Sequence, residues 1–358
     1  MRIKTAVIGC GAMTRMFHIP SILQHPVFEL VTLVDPCLEA ARQLNKEYGI
    51  SALVRSDVRD LPPTDAAIVA VPPHLHAETC TALLRRGIHV LCEKPMATGV
   101  VEGEGMLNAA QEGKSVLLIG MQKHYCPNTK LLKNILNDGM LGKIEGFKLI
   151  SAIRSQWNTG NINRFNPEYS KGGILFEHGV HWIHRIVYWF GYPKRIQYAD
   201  DRIDGVEVNA FIESEFNAYD QNIPGSMYFS WDHNLKNQIT IFAENGVAEV
   251  LENENHPVFL KKEINGNKYI MEIRNQNDKG KDDLFARQLD YFSECIGKKI
   301  YVPEPTVFAL ETVRFVEQCY QNRLGVRQPW VYHGIDGNRN TKGSWPTGCT
   351  SMERGTSP

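Results

Sequence analysis

The first 120 residues of this chain alternate short apolar runs with segments of helical spacing, and few folds accept that alternation. Ile3–Gly9, Phe28–Val34, Ala66–Val71, His89–Cys92 and Ser115–Gly120 read as strands. Between them, Ala12–Leu23, Leu38–Tyr48, His76–Arg86 and Val100–Glu112 read as helices. Apolar strands alternating with helices of this length predict βαβ units, hence a parallel sheet with helices on both faces.

Beyond about residue 124 the pattern changes. A helix at Asn128–Asp138 precedes strands of roughly alternating polarity at Glu145–Ile153, Gly205–Phe216, Gly225–Trp231, Gln238–Ala243 and Val247–Val250. Asn-Gly pairs at 245–246 and 265–266 are hairpin signals, so this part is expected to be largely antiparallel. A helix over Gly173–Trp189 interrupts it, and helices near Asp283–Cys295 and Thr306–Asn322 are expected to close it. Residues 334–358, rich in Gly, Ser, Thr and Asn, read as a disordered tail.

Composition narrows the function. The 358 residues suit two domains, and 43% hydrophobic with 22% charged residues is ordinary for a globular enzyme. Lys and Arg total 39 against 40 Asp and Glu, so the basic footprint of a nucleic-acid partner is missing, as is a basic membrane-surface stripe. Neither a signal-peptide pattern nor a membrane-spanning apolar stretch occurs. The eight scattered cysteines, without a CxxC pair, are expected to be reduced, in keeping with a cytoplasmic location.

The first strand–helix junction carries the chemistry. Gly9, Cys10, Gly11, Ala12 and Met13 form a glycine turn at a helix N-terminus, where backbone can approach a pyrophosphate. Thr14 stands where a third glycine would be usual. Asp35 ends the second strand, in position for adenosine ribose hydroxyls, and Pro36 follows instead of a phosphate-binding Arg. A carboxylate there repels a 2′-phosphate, so NAD is favoured over NADP.

Residues 68–97 (IVAVPPHLHAETCTALLRRGIHVLCEKPMA) and 171–191 (KGGILFEHGVHWIHRIVYWFG), with the glycine turn and His18-Ile19-Pro20, resemble the glucose–fructose oxidoreductase and inositol dehydrogenase family, Gfo/Idh/MocA. The resemblance covers roughly residues 1–325. It implies an α/β protein: an N-terminal Rossmann domain, a doubly wound parallel sheet over 1–122, then an α/β domain with an open, mainly antiparallel sheet over 123–333. It also implies a small sugar or cyclitol substrate and a homo-oligomer, dimer or tetramer.

By position, the resemblance makes Lys94 of Glu93-Lys94-Pro95 the active-site lysine, a cation that stabilises charge developing on substrate oxygen. Pro72, His76, Glu93 and Gln122 match cofactor-side positions. Glu177, His181 and His184 fall at i, i+4 and i+7, one face of a helix. His181 is the expected general base and Glu177 its orienting group, while His184 stands where relatives often carry a carboxylate. Tyr125, Arg154, Asn163 and Arg164 are candidate substrate contacts. No metal is expected, because HExxH is missing and Lys94 would oppose a cation. Two other activities stay open: NAD-dependent glycoside hydrolysis, and a cofactor-binding regulator without catalysis.

Overall fold

Six parallel strands build the first sheet: β1 (Ile3–Ile8), β2 (Phe28–Val34), β3 (Leu53–Arg55), β4 (Ala66–Val69), β5 (His89–Glu93) and β6 (Leu117–Gly120). Their order is β3-β2-β1-β4-β5-β6. It reverses between β1 and β4, and a doubly wound sheet opens its ligand crevice beyond the strand ends at such a reversal. These features come from a computed structural model that describes residues 2–154, 171–202, 205–252, 256–274 and 283–325. The expected tail at 334–358 therefore lies outside the described residues.

A π-helical turn (Thr14–His18) runs into α1 (Ile19–Gln24), and α2 (Leu38–Tyr48), α3 (His76–Arg85) and α4 (Val100–Glu112) follow in turn. Alternate residues of each strand serve opposite faces. Val69, Val90, Cys92 and Ile119 pack with Leu83 and Leu84 of α3 and Met106 of α4. Val7, Leu33, Ile68 and Leu118 pack with Ile19 and Ile22 of α1 and Ala41 and Leu44 of α2. The unforeseen β3 is three residues long and has no fully buried side chain, which leaves little signal in the sequence.

The remainder contains α5 (Pro127–Asn137), β7 (Ile144–Ala152), a second π-helical turn (Leu175–Gly179), α6 (Val180–Phe190), β8 (Arg195–Asp200), β9 (Asn209–Ala218) and β10 (Gln221–Ser230). Next come β11 (Gln238–Ala243), β12 (Gly246–Leu251), β13 (Val258–Ile264), β14 (Asn267–Ile273), α7 (Leu284–Lys298), α8 (Glu304–Gln321) and β15 (Arg323–Gly325). The second sheet runs β14-β13-β12-β11-β7-β10-β9-β8-β15. Among the described strands of this second sheet, only β7–β10 and β8–β15 pair in parallel. Asn265 (φ 52°) and Gly266 (φ 77°) make a two-residue turn, as their sequence predicts. The other Asn-Gly pair is displaced: Ala243 pairs with Gly246, so Glu244-Asn245 turns and Gly246 already belongs to β12.

The last two helices do not close the second sheet alone, contrary to expectation. Leu289, Phe292 and Cys295 of α7 join the core beside α1 and α2. Helix α8 is apolar on two sides: Ala309, Leu310 and Val313 enter the core of α3 and α4, whereas Phe315, Val316 and Cys319 enter that of the second sheet. The Thr306 hydroxyl, 2.7 Å from the Leu117 carbonyl oxygen, pins α8 to β6.

Candidate active site

The glycine turn is constrained from inside and open outside. Gly9 adopts φ 96°, and a Cβ on it would lie 2.5 Å from the Ala70 carbonyl oxygen. A Cβ on Gly11 would meet no protein atom within 4 Å. Small size at Gly11 therefore serves whatever docks on the turn, a fit for a dinucleotide pyrophosphate. Asp35 fixes the turn by accepting the Cys10 and Cys37 backbone N–H groups, each at 2.8 Å. The buried Thr14 hydroxyl donates to the Gly9 carbonyl at 2.6 Å. The helix is π-helical from this residue, and its wider turn makes room for a side chain where glycine is usual.

The Glu93-Lys94-Pro95 segment follows β5 and is held from beneath. Buried Glu93 bonds His18 Nε2 at 2.8 Å and accepts the Lys94 backbone N–H at 3.2 Å. Burial alone would raise the Glu93 pKa, but the His18 hydrogen bond and the charges of His18 and Lys94 hold it below the ordinary carboxylate value. The carboxylate thus buttresses the lysine.

Lys94 reaches across to the second π-helical turn, where its Nζ donates to the Glu177 carbonyl oxygen at 2.7 Å. That turn is clamped in place by Glu207, which is buried and accepts the Gly173 N–H at 2.8 Å, the Leu175 N–H at 3.1 Å and the Tyr320 hydroxyl at 2.7 Å. A Cβ on Gly173 would sit 1.9 Å from the Glu207 carbonyl oxygen. Only glycine fits under this clamp.

His181 lies in the first turn of α6, and its Nδ1 is buried without a hydrogen-bond partner among the described residues. Burial holds its pKa well below the ordinary value, and the charges of Lys94, His178, Lys123 and His184 push the same way. The ring is therefore neutral near pH 7. Gln122, at the start of a 3-10 turn (Gln122–Tyr125), has a buried Oε1 that no described residue satisfies, which suits a donor on a bound ligand.

Two family models match this chain: "Oxidoreductase family, NAD-binding Rossmann fold" over residues 3–121, and "GFO/IDH/MocA C-terminal domain" over residues 129–249. The chain belongs to the Gfo/Idh/MocA family. It is 29% identical over 221 residues to scyllo-inositol 2-dehydrogenase (NADP(+)) IolU of Bacillus subtilis (strain 168), covering 60% of this chain and 64% of that protein. The matched stretch is less than two thirds of such curated relatives' length. Among solved structures, KijD10, a 3-ketoreductase from Actinomadura kijaniata in complex with NADP and TDP-benzene, has TM-score 0.77 at 19% identity, covering 92% of this chain and 100% of that one. The WlbA dehydrogenase of Bordetella pertussis, in complex with NADH and UDP-GlcNAcA, has TM-score 0.74 at 22% identity, covering 90% and 96%.

Within this Gfo/Idh/MocA member, Gly11, Ala12 and Pro72 are exposed around the crevice or partly so, and Met13 is half-buried. Three of the expected contact residues are buried. His76 is fully buried, with Nδ1 2.8 Å from the Pro95 carbonyl oxygen and Nε2 2.9 Å from that of Val71, and its ring N–H donates to one of the two. His184 is buried with Nε2 3.2 Å from His124 Nδ1. Tyr125 is buried against Tyr291. Glu177 lies on the π-helical turn, whereas His181 and His184 are three residues apart within α6. Arg154 is exposed beyond the end of β7, and Asn163 and Arg164 lie outside the described residues.

Sequence reasoning missed Lys123, His178, Glu207 and Glu252. Lys123 and His178 adjoin residues that were singled out. Glu207 and Glu252 sit at strand ends and carry no motif, so only the fold reveals them.

Proposed function

We propose that this protein transfers hydride between NAD(H) and the carbon of a secondary alcohol or ketone on a sugar or cyclitol. The reading rests on one observation above all: the Lys94 ammonium is anchored on the Glu177 carbonyl, next to a neutral His181. Anchoring one N–H of Lys94 leaves its other donors for the substrate oxygen, where they stabilise the negative charge that develops during reaction. His181 takes the hydroxyl proton in the oxidative direction and returns it in the reductive one. Its low pKa keeps it in the accepting form near neutral pH. Glu177 acts through its main chain in holding Lys94. When bound, the dinucleotide supplies or takes up the hydride.

Asp35 supports NAD over NADP, since its carboxylate is fixed by two backbone N–H groups and cannot swing away from a 2′-phosphate. Relatives carrying each cofactor leave room for both chemistries on this fold. A homo-oligomer goes with this reading, because Phe211, Phe242 and Ile270 stand exposed on strands of the second sheet. A panel of aldoses, glycosides and cyclitols, each with NAD+ and with NADP+, tests the proposal. At least one should reduce the cofactor, with NAD+ giving the higher kcat/KM. Inertness of the whole panel contradicts the reaction, and a preference for NADP+ contradicts the role of Asp35.

A further inference from the structure

A second carboxylate–imidazole pair stands beside the Lys94–His181 group. His178 lies on the π-helical turn that anchors Lys94, next in sequence to Glu177. Its Nε2 is 2.9 Å from Ser151 Oγ of β7 and 3.2 Å from Glu252 Oε1, just past the end of β12. The pair borders the same charge field as the candidate base. Lys123 lowers the pKa of both His181 and Glu252, and His178 lowers that of His181.

The hydrogen-bond pattern sets the tautomer. Burial alone would push the Glu252 pKa up, yet the His178 hydrogen bond and the charges of Lys123 and Arg185 bring it down, so Glu252 is ionised near neutral pH and can only accept. His178 Nε2 must then carry the proton it donates. In the neutral ring Nδ1 is left as an acceptor. No described residue donates to Nδ1. The two side chains are 25% and 19% exposed, so the pair is reachable from solvent. A carboxylate that fixes one ring nitrogen to present the other is the arrangement by which proteins orient a working imidazole.

We propose that the Glu252–His178 pair is a recognition group for a polyhydroxylated substrate: Glu252 holds the imidazole, and Nδ1 accepts a hydrogen bond from a hydroxyl beside the reacting carbon. The inference rests on the hydride-transfer reading above. It assigns this pair to specificity and leaves proton transfer with His181. A site built to accept a hydroxyl proton loses affinity for any ligand that lacks it, because the acceptor is then desolvated without a partner.

Two measurements test it. In 15N-labelled wild-type protein, long-range imidazole spectra assigned with His178→Gln should show the Nε2–H tautomer for His178. An Nδ1–H tautomer overturns the proposal without reference to activity. In the second, His178→Gln is compared with wild type on a polyol that wild type turns over and on its two deoxy analogues, each lacking one hydroxyl next to the reacting carbon. The variant should raise KM for the polyol on the order of tenfold, with much less change in kcat, and leave KM for one analogue unaltered. Equal effects on the polyol and both analogues, or no effect on any, overturn the recognition role alone. If wild type turns over no polyol with either cofactor, the hydride-transfer reading falls and this role with it.

Discussion

Gly9 and Gly11 are two residues apart and obey different constraints. At Gly9 both the backbone (φ 96°) and the Ala70 carbonyl exclude a side chain, so Gly9→Ala should destabilise the fold by on the order of 3 kcal/mol. At Gly11 nothing in the protein objects, so Gly11→Val should keep the wild-type Tm and lose dinucleotide affinity. Thermal unfolding with and without NADH separates the two, and a Gly11→Val protein stabilised by NADH like wild type would refute the cradle. Both glycines stand out in the sequence, as do Asp35, Lys94 and His181, because they belong to motifs whose chemistry demands those residue types. The burial of His76, His184 and Tyr125 was not legible, for one shared reason. Burial is a tertiary property, and a polar side chain in a motif reads the same whether it faces a ligand or two backbone carbonyls.

At the scale of elements, the segment from Gly173 to Phe190 decides the geometry of the site. Its π-helical first turn presents the Glu177 carbonyl to Lys94, and the Glu207 carboxylate holds that turn through two backbone N–H groups and Tyr320. Glu207→Gln keeps the shape but turns one accepting oxygen into a donor that faces donors. It should cost about 1–3 kcal/mol of stability and reduce kcat, with a smaller effect on dinucleotide binding. Unfolding midpoints and steady-state kinetics check this, and an unchanged Tm would show that the clamp is not closed. Helical spacing foretold a helix here, but periodicity does not distinguish a π-helical turn from an α-helical one over five residues. Strand β14 escaped notice for another reason: six of its seven residues are exposed, so no alternation of burial marks it.

Across the whole molecule, burial keeps several histidines neutral. Burial lowers the pKa of His76, His181 and His184 below the ordinary 6.5, and that of His124 to about 3. Between each folded-state value and 6.5 the unfolded chain binds more protons, so stability is complete above that range and is lost as pH falls through it. Tm should therefore decline between about pH 6.5 and about pH 5, before the carboxylates titrate, and a flat Tm over that interval would contradict the neutral, buried rings. The two-sheet architecture was legible from the change of period near residue 124. The sharing of α8 between both cores was not, because a helix apolar on two sides does not name its partners. All of these layers converge on Lys94, which β5 delivers from one sheet and Glu177 receives from the segment packed on the other. The most direct measurement is turnover by Lys94→Ala at saturating dinucleotide, with binding of NADH read separately by its fluorescence. The account predicts a loss of kcat by on the order of a hundredfold or more with NADH affinity nearly retained. Near-normal turnover in that variant would contradict it.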